Sequence, residues 1–540
     1  MSDWNFAAVW DGLAKIVPDR DALVWSERRV TWAEFADRAD RVARHLHREA
    51  GLVPGDRIAI EVTNRPEYLE SFYAALKLGC VPVNVNFRYR AAELRYLLDN
   101  SDARALVHEA AFTDTVAEAV ARIAPSARPC LLEVGAPYEQ AVAASTPTGD
   151  ERARTPSGDD LIFLYTGGTT GMPKGVMWRN DDLYVSLWAS AHPDRPDPPD
   201  PFAAASAGKR ASTLLPAAPL MHGTGLFAAL AALAGSGTVV LVDHAGLDPE
   251  LVWDAVARER VQTLTIVGDV FARPLLDALR AHPDRWDLSS LRAITSSGVL
   301  FSPDVKRGLL DHLDGVTIVD ALGASEGLGP RQSARAADGA ISAARFSADD
   351  RIRVVHEDTG RDVVAGSGEV GVLAIGGRIP LGYFKDPDRS AATFRVLDGV
   401  RYSVPGDHAT VAADGTVRLL GRGSACINTG GEKVYPEEVE AELREHPGVF
   451  DCVVVGVPDE RYGERVVALV QRAEGVDGHD ADDCDEAAMR EWCRDRMAGY
   501  KVPRRFLFVD SLRRSAAGKA PHGELRALAV QLLADGAPAA

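Results

Sequence analysis

The chain is poor in several things that would fix its class early. Of its 540 residues six are cysteine (Cys80, Cys130, Cys426, Cys452, Cys484 and Cys493), and none forms a CxxC pair or stands near a metal-spaced histidine. That argues against a disulfide scaffold or a zinc module and reads as reduced thiols in a cytoplasmic protein. Positive charge is also short: 60 Lys and Arg face 78 Asp and Glu, for a net charge of −18. A dedicated nucleic-acid binder needs the opposite balance, so no nucleic-acid partner is expected. A small anion stays admissible, because a few N–H donors and one lysine hold a phosphate even in an acidic protein. Long apolar runs are missing as well. Residues 1–25 carry charges throughout, which gives no signal peptide. The stretch 211–242 has no Asp, Glu, Lys or Arg, but Pro216, Pro219, Gly223, Gly225, Gly235 and Gly237 interrupt it. A membrane span needs about 20 apolar residues with few breaks. The stretch reads instead as a strand, a glycine-bearing turn, a helix at 226–234 and a strand at 238–242. No transmembrane segment is expected; transient membrane contact and a homo-oligomer are left open.

What is present fits a globular protein. Hydrophobic residues make up 46% and charged residues 26% of the chain, and its length suggests about two to four folding units. Up to about residue 340, helical and strand patterns alternate: helix 32–50 before strand 57–62, helix 66–78 before strand 81–85, then 249–260, 262–267, 271–281 and 291–295. Such alternation favours α/β layers with largely parallel strands. The proline- and aspartate-rich run 192–201 reads as an exposed loop. Beyond 340 the pattern turns to hairpins. Asp358-Thr359-Gly360, Asp398-Gly399 and Asp414-Gly415 each separate strand-like runs, and an Asp-Gly turn is expected to hold both residues at positive φ. After about 421 Pro436 opens an acidic helix, strands follow at 449–457 and 466–470, then a helix at 486–498 and a strand at 506–509. The expected fold class is α/β. A large N-terminal domain, 1–422, would hold two α/β layers to about 340 and a β-barrel-like module after it; a small mobile α+β domain would occupy 423–540.

The most specific chemical signal is Leu164-Tyr165-Thr166-Gly167-Gly168-Thr169-Thr170-Gly171-Met172-Pro173-Lys174-Gly175. A strand enters a loop whose glycines let backbone N–H groups turn toward an anion at close range. Threonine hydroxyls add donors and Lys174 adds a point charge, which suits a polyphosphate. The loop is not GxxxxGK[ST], since Pro173 precedes the lysine and Gly175 follows it.

This loop resembles the phosphate loop of the adenylate-forming superfamily: acyl-CoA synthetases, luciferases and peptide-synthetase adenylation domains. Four further runs resemble that family's motifs, in its order. They are Gly323-Ala324-Ser325-Glu326, Tyr402-Ser403-Val404-Pro405-Gly406-Asp407, Gly421-Arg422 with Asn428-Thr429-Gly430-Gly431-Glu432-Lys433-Val434-Tyr435-Pro436, and Arg514-Ser515-Ala516-Ala517-Gly518-Lys519. The resemblance implies a carboxylate–CoA ligase that uses ATP, Mg²⁺ and coenzyme A. A carboxylate would attack the α-phosphate of ATP, giving an acyl-adenylate and pyrophosphate, and a thiol would then displace AMP.

Residue roles follow from the same resemblance. Thr166, Gly167, Gly168, Thr169, Thr170, Gly171 and Lys174 would surround the β- and γ-phosphates. Glu326 would hold Mg²⁺, a hard cation suited to carboxylate and phosphate oxygens. Asp407 would accept from the ribose hydroxyls and Arg422 would steady the ribose or phosphate. Gly323, Ala324, Ser325, Ser297 and Gly298 would line the nucleotide. Lys519 would bridge the substrate carboxylate and the α-phosphate, forming the catalytic set with Thr170 and Glu326. His222 and Gly298 would border the acyl pocket, and Gly430 and Gly431 would line the coenzyme A tunnel, with Lys501 and Arg504 near its phosphates. Plainer roles compete: turn acids for Glu326 and Asp407, a surface ion pair for Arg422, a core histidine for His222, an exposed basic loop for Lys501.

The chain departs from the family in places. Leu322 stands where an aromatic residue commonly stacks on adenine, which leaves adenine to apolar contact near Ser297-Gly298-Val299. Ala425 replaces the hinge acid, and Ala517 a common polar residue. Gly366-Ser367-Gly368-Glu369-Val370-Gly371 matches GxGxxG but leads into a strand, not the helix a dinucleotide site requires. Gly323-Ala324-Ser325-Glu326-Gly327 matches GxSxG and offers a rival esterase with Ser325 as nucleophile. The acyl pocket is expected among 222–232, 268–274 and 296–300, where Ala228, Ala229, Ala231 and Ala232 leave volume for a bulky apolar tail. Asp269 keeps an amino-acid substrate open, and a carrier-protein thiol is the alternative acceptor. The runs 83–89 and 377–387 resemble actinobacterial synthetases for long-chain or steroid side-chain acids.

Overall fold

The computed structural model describes residues 3–145, 155–166, 172–192, 194–208, 212–242, 246–297, 301, 303–337, 345–422, 427–434, 436–444, 446, 448–472, 485–512 and 522–536. The chain divides into two compact units. One comprises Met1–Phe87, Leu97–Thr166 and Gly175–Gly421; the other comprises Arg88–Tyr96, Gly167–Lys174 and Arg422–Ala540.

Two sheets dominate the first unit. In one, the strand order is Gly382–Tyr383, Lys174–Arg179, Leu161–Thr166, Val81–Asn84, Arg57–Glu61, Ala103–Glu109, Cys130–Val134. All pairings from Leu161–Thr166 to Cys130–Val134 are parallel. In the other, the order is Gly327–Arg335, Thr317–Ala324, Ala293–Ser296, Thr263–Ile266, Thr213–Pro216, Thr238–Leu241, Asp21–Trp25, Arg28–Thr31. Here only the two outermost pairings are antiparallel. Parallel neighbours need crossovers, and the helices Pro66–Lys77, Gly223–Ala234, Pro249–Arg258, Gly268–Ala281 and Pro303–His312 supply them. Pro66 and Pro249 sit in the first turns of theirs, where a missing N–H costs nothing. The uncharged run therefore forms a strand, a helix and a strand of this sheet, as its breaks predict. Among the described residues no helix is long and apolar enough to cross a membrane. The run from 192 to 200 is largely exposed, and Asp200 caps the short helix Pro201–Ser206.

The hairpin module follows. Gly371–Ile375 pairs through Val372 to Ile375 with Ile352–Val355, while its other edge is shared by Asp407–Val411 and Val400–Ser403. The two Asp-Gly turns differ. Asp398 and Gly399 both have positive φ, 50° and 80°, in a two-residue turn that pairs Leu397 with Val400. At Asp414-Gly415 only the glycine does, with φ 82°. There Gly415 N–H donates to Ala412 C=O and Ala412 N–H to Thr416 C=O, so the loop holds three residues and one left-handed position suffices. The GxGxxG run leads into the strand Gly371–Ile375, as its sequence predicts.

In the second unit Gly463–Arg472 pairs with Val449–Asp459 and Ile427–Thr429 antiparallel and with Arg505–Phe508 parallel. Alternation sorts the strand residues. Cys452 and Val454 pack with Val439, Met489 and Cys493 of the helices Pro436–Arg444 and Glu486–Arg496. Val453, Val455 and Val457 pack with Leu525 and Ala529 of His522–Ala534 on the opposite face.

Cys80, Cys130, Cys452 and Cys493 are free, and burial pushes the Cys80 and Cys493 thiols up to about 12, which makes them poor nucleophiles. One buried acid stands out. Glu61 lies opposite His108 in register, is fully buried, and neither carboxylate oxygen has a hydrogen-bond partner. Desolvation, reinforced by Glu109, raises its pKa to about 8, so the neutral acid is the folded form at pH 7. Between the ordinary glutamate value and about 8 the folded state holds a proton that the unfolded state has lost. Stability therefore falls as pH rises through that window. The variant Glu61→Gln is expected to match the native protein near pH 4.5 and to be increasingly more stable toward pH 8. Denaturation midpoints that fall in parallel for both proteins would contradict this.

Candidate active site

The strand Leu161–Thr166 ends at a half-buried Thr166, and Lys174 opens the neighbouring strand Lys174–Arg179. Gly167, Gly168, Thr169, Thr170 and Gly171 lie outside the described residues, as do Gly298 and Lys519, the hinge run 423–426, and the side chains of Arg422 and Asp269. The strands flanking the loop are fixed by close contact. A Cβ on Gly175 would lie 2.7 Å from Cε2 of Tyr165, so only glycine lets that ring lie across the strand. The Tyr165 hydroxyl donates to Asn100 Oδ1 at 2.7 Å.

Glu326 sits at the tip of a hairpin. Thr317–Ala324 and Gly327–Arg335 are antiparallel and Ala324 pairs with Gly327, so Ser325 and Glu326 are the whole turn. The Trp178 indole N–H donates to Ser325 C=O at 2.9 Å, and Trp178 is fully buried. Glu326 is only 8% exposed, which removes the solvated-turn reading. Its Oε1 accepts from the Tyr383 hydroxyl at 2.8 Å. Tyr383 is buried, its N–H donates to Ser390 Oγ at 2.8 Å, and its backbone pairs with Val176. A single oriented carboxylate fits Mg²⁺, which is commonly bound by one or two carboxylates together with phosphate oxygens. Among the described residues no group of three or more His, Cys, Asp or Glu could form an all-protein cage.

The same hairpin settles the esterase reading against itself. A nucleophile elbow needs a strand-to-helix turn, whereas Ser325 lies in a strand-to-strand turn with its carbonyl tied to Trp178.

Gly323 and Ala324 end the first arm of the hairpin. A Cβ on Gly327 would sit 3.5 Å from both Ile375 Cγ2 and Ser403 Cβ, which places the tip of the hairpin against the strand leading to Asp407. Asp407 is half-buried and opens Asp407–Val411, directly after Gly406 at φ 92°. Leu322 packs against the apolar cluster of Val354, Leu373, Ile375 and Val417. Ser297 follows Ala293–Ser296 and is half-buried.

His222 is half-buried and precedes the helix Gly223–Ala234 as its N-cap. The turn before it is held by two buried carboxamides that sequence reading missed. Asn64 Nδ2 donates to Pro216 C=O at 3.0 Å and Ala218 C=O at 3.2 Å, and Asn64 Oδ1 accepts from Leu220 N–H at 2.8 Å. Asn84 Nδ2 donates to Met221 C=O at 2.6 Å. Gly225 admits the returning chain, since a Cβ there would lie 2.4 Å from Pro219 O. On this helix Ala229 is fully buried in the core and so does not open volume, while Ala232 is partly buried against the same core.

In the second unit Gly430 and Gly431 form the two-residue turn between Ile427–Thr429 and Glu432–Val434, at φ 62° and 84°. Their positive φ alone requires glycine or a residue that tolerates it. Lys501 is 3% exposed and ion-pairs with Glu93, with the Tyr89 ring 5.3 Å away, so it does not lie on an exposed basic loop.

Comparison with known proteins agrees with this layout. Residues 12–384 match the AMP-binding enzyme family and residues 438–519 its C-terminal domain. The chain is 41% identical over 536 residues to a 3-oxocholest-4-en-26-oate–CoA ligase of Rhodococcus rhodochrous, covering 95% of this chain and 94% of that protein. It is 42% identical over 534 residues, with the same coverages, to a medium/long-chain-fatty-acid–CoA/3-oxocholest-4-en-26-oate–CoA ligase of Mycobacterium tuberculosis. In structure it is similar to the amide bond synthetase McbA of Marinactinospora thermotolerans, with a TM-score of 0.79, 26% identity, and coverage of 97% and 99% of the two chains. With a match spanning most of both units and full-length relatives above 40% identity, the chain belongs to the AMP-binding enzymes, the adenylate-forming superfamily.

Proposed function

We propose that the protein is an ATP-dependent carboxylate–CoA ligase that works through an acyl-adenylate on an apolar acid of the steroid side-chain or medium/long-chain fatty type. The observation that carries this reading is the match to CoA ligases along almost the whole of both chains. The site supports it. Glu326 is buried, oriented by Tyr383 and set beside the strand that leads to Asp407. Bound Mg²⁺ would offset phosphate charge, with Glu326 as its protein ligand. Thr166, Lys174 and the loop between them supply donors for the terminal phosphates. Asp407 accepts from the ribose hydroxyls, and the Arg422 guanidinium adds positive charge. Lys519 brings a cation to the two anions that must meet, the step at which charge stabilisation matters most. His222 caps the entrance to an apolar acyl pocket in which each buried CH₂ contributes about 0.8 kcal/mol. Gly430 and Gly431 border the thiol path. Lys501, ion-paired with Glu93, is the cation assigned to a coenzyme A phosphate. A cytoplasmic location fits the use of ATP and coenzyme A.

Three outcomes are expected. In a panel of carboxylic acids, AMP release should require both ATP and coenzyme A and should favour long apolar or sterol-derived acids over amino acids. AMP release without coenzyme A, with an amine as acceptor, would overturn the thiol assignment. The variant Lys519→Ala is expected to lose pyrophosphate release by roughly 10²–10³ while still forming thioester from supplied acyl-adenylate; equal losses in both half-reactions would refute its role. The variant Tyr383→Phe leaves Glu326 without its orienting donor and is expected to raise the Mg²⁺ concentration for half-maximal adenylation by about 10–100-fold. An unchanged Mg²⁺ titration would remove Glu326 from the metal.

A further inference from the structure

We propose that Asn84 is a positioning residue for adenylation: one carboxamide holds the entry to the phosphate loop and the turn carrying His222 in a fixed mutual register. The inference rests on the adenylating reading above. Asn84 is the last residue of Val81–Asn84 and is 5% exposed. The backbone pairing with the next strand is recorded at Val83 and Phe163. Beyond it the side chain takes over. Asn84 Oδ1 accepts from Tyr165 N–H at 2.5 Å, and Nδ2 donates to Tyr165 C=O at 3.0 Å, so both polar groups of one residue are satisfied as a strand would satisfy them. The same Nδ2 donates to Met221 C=O at 2.6 Å. Thr166 follows Tyr165 directly and His222 follows Met221 directly. The carboxamide uses an acceptor and both donors at once, which no other side chain of this size provides. Asn64 holds only the Pro216–Leu220 side of the turn and has no bond to Tyr165, so it serves as the internal comparison.

Reactants must be aligned to within about 1 Å for in-line attack, and misplacement of that size costs about 10² in rate. The clamp matters most for the step in which acid and triphosphate are both present. The test measures, for purified full-length protein, pyrophosphate release with a favoured acid and thioester formation from supplied acyl-adenylate, together with the thermal midpoint. Asn84→Ala is expected to lower pyrophosphate release about 100-fold with a rise in KM for both ATP and acid, and to lower the thiol step less than tenfold. Asn64→Ala is expected to raise KM for the acid alone. A loss equal in both half-reactions and matched by the folded fraction would overturn the proposal, as would native rates in Asn84→Ala. Should Asn84→Ala fail to fold, Asn84→Asp, which keeps the acceptor for Tyr165 N–H and loses the donors, is read in the same way. A native protein that releases pyrophosphate with no acid in the panel would overturn the functional reading and this inference together; an active native protein without the split would overturn this inference alone.

Discussion

A parallel sheet ends in unpaired backbone groups, and in this protein those ends are where the chemistry is proposed to occur. Burying them unpaired is costly, so something other than the neighbouring strand must bond them. Asn84 and Asn64 do this with their side chains. Each bonds a backbone carbonyl of a segment more than 100 residues away in sequence. Tyr165, which precedes Thr166, and the turn that carries His222 are both held by these amides.

The hairpin at Glu326 follows a related logic. A buried carboxylate is expensive unless it is bonded, and Tyr383 supplies one bond from a strand that pairs on Lys174–Arg179. Glu61 is the contrasting case: with no partner, it gives up its charge. These two buried glutamates of one unit thus differ in whether a neighbour bonds them.

Much of this was legible in the sequence. The alternation of helices and strands, the hairpin module and the α+β unit all follow from local periodicity and turn chemistry. Asp398-Gly399 behaves as its dipeptide dictates, whereas Asp414-Gly415 does not, because loop length and not the dipeptide selects the turn. Glu326 and Asp407 were found through motif resemblance, and the structure adds that Glu326 is buried. Asn84, Asn64 and Tyr383 were not seen as functional. Their partners lie far along the chain, and an asparagine at a strand end looks the same in sequence whether it faces water or two carbonyls. The burial of Lys501 was hidden for the same reason, since its partner Glu93 lies 408 residues away.

The turn at Ser325-Glu326 has a consequence for how such an enzyme can change. Because two residues make up the entire reversal, it has no slack to give. Inserting one residue would invert the facing of everything beyond it, sending the acid outward and a neighbour inward. Change must therefore proceed by substitution or elsewhere in the chain, leaving this corner as the fixed datum from which the rest is measured.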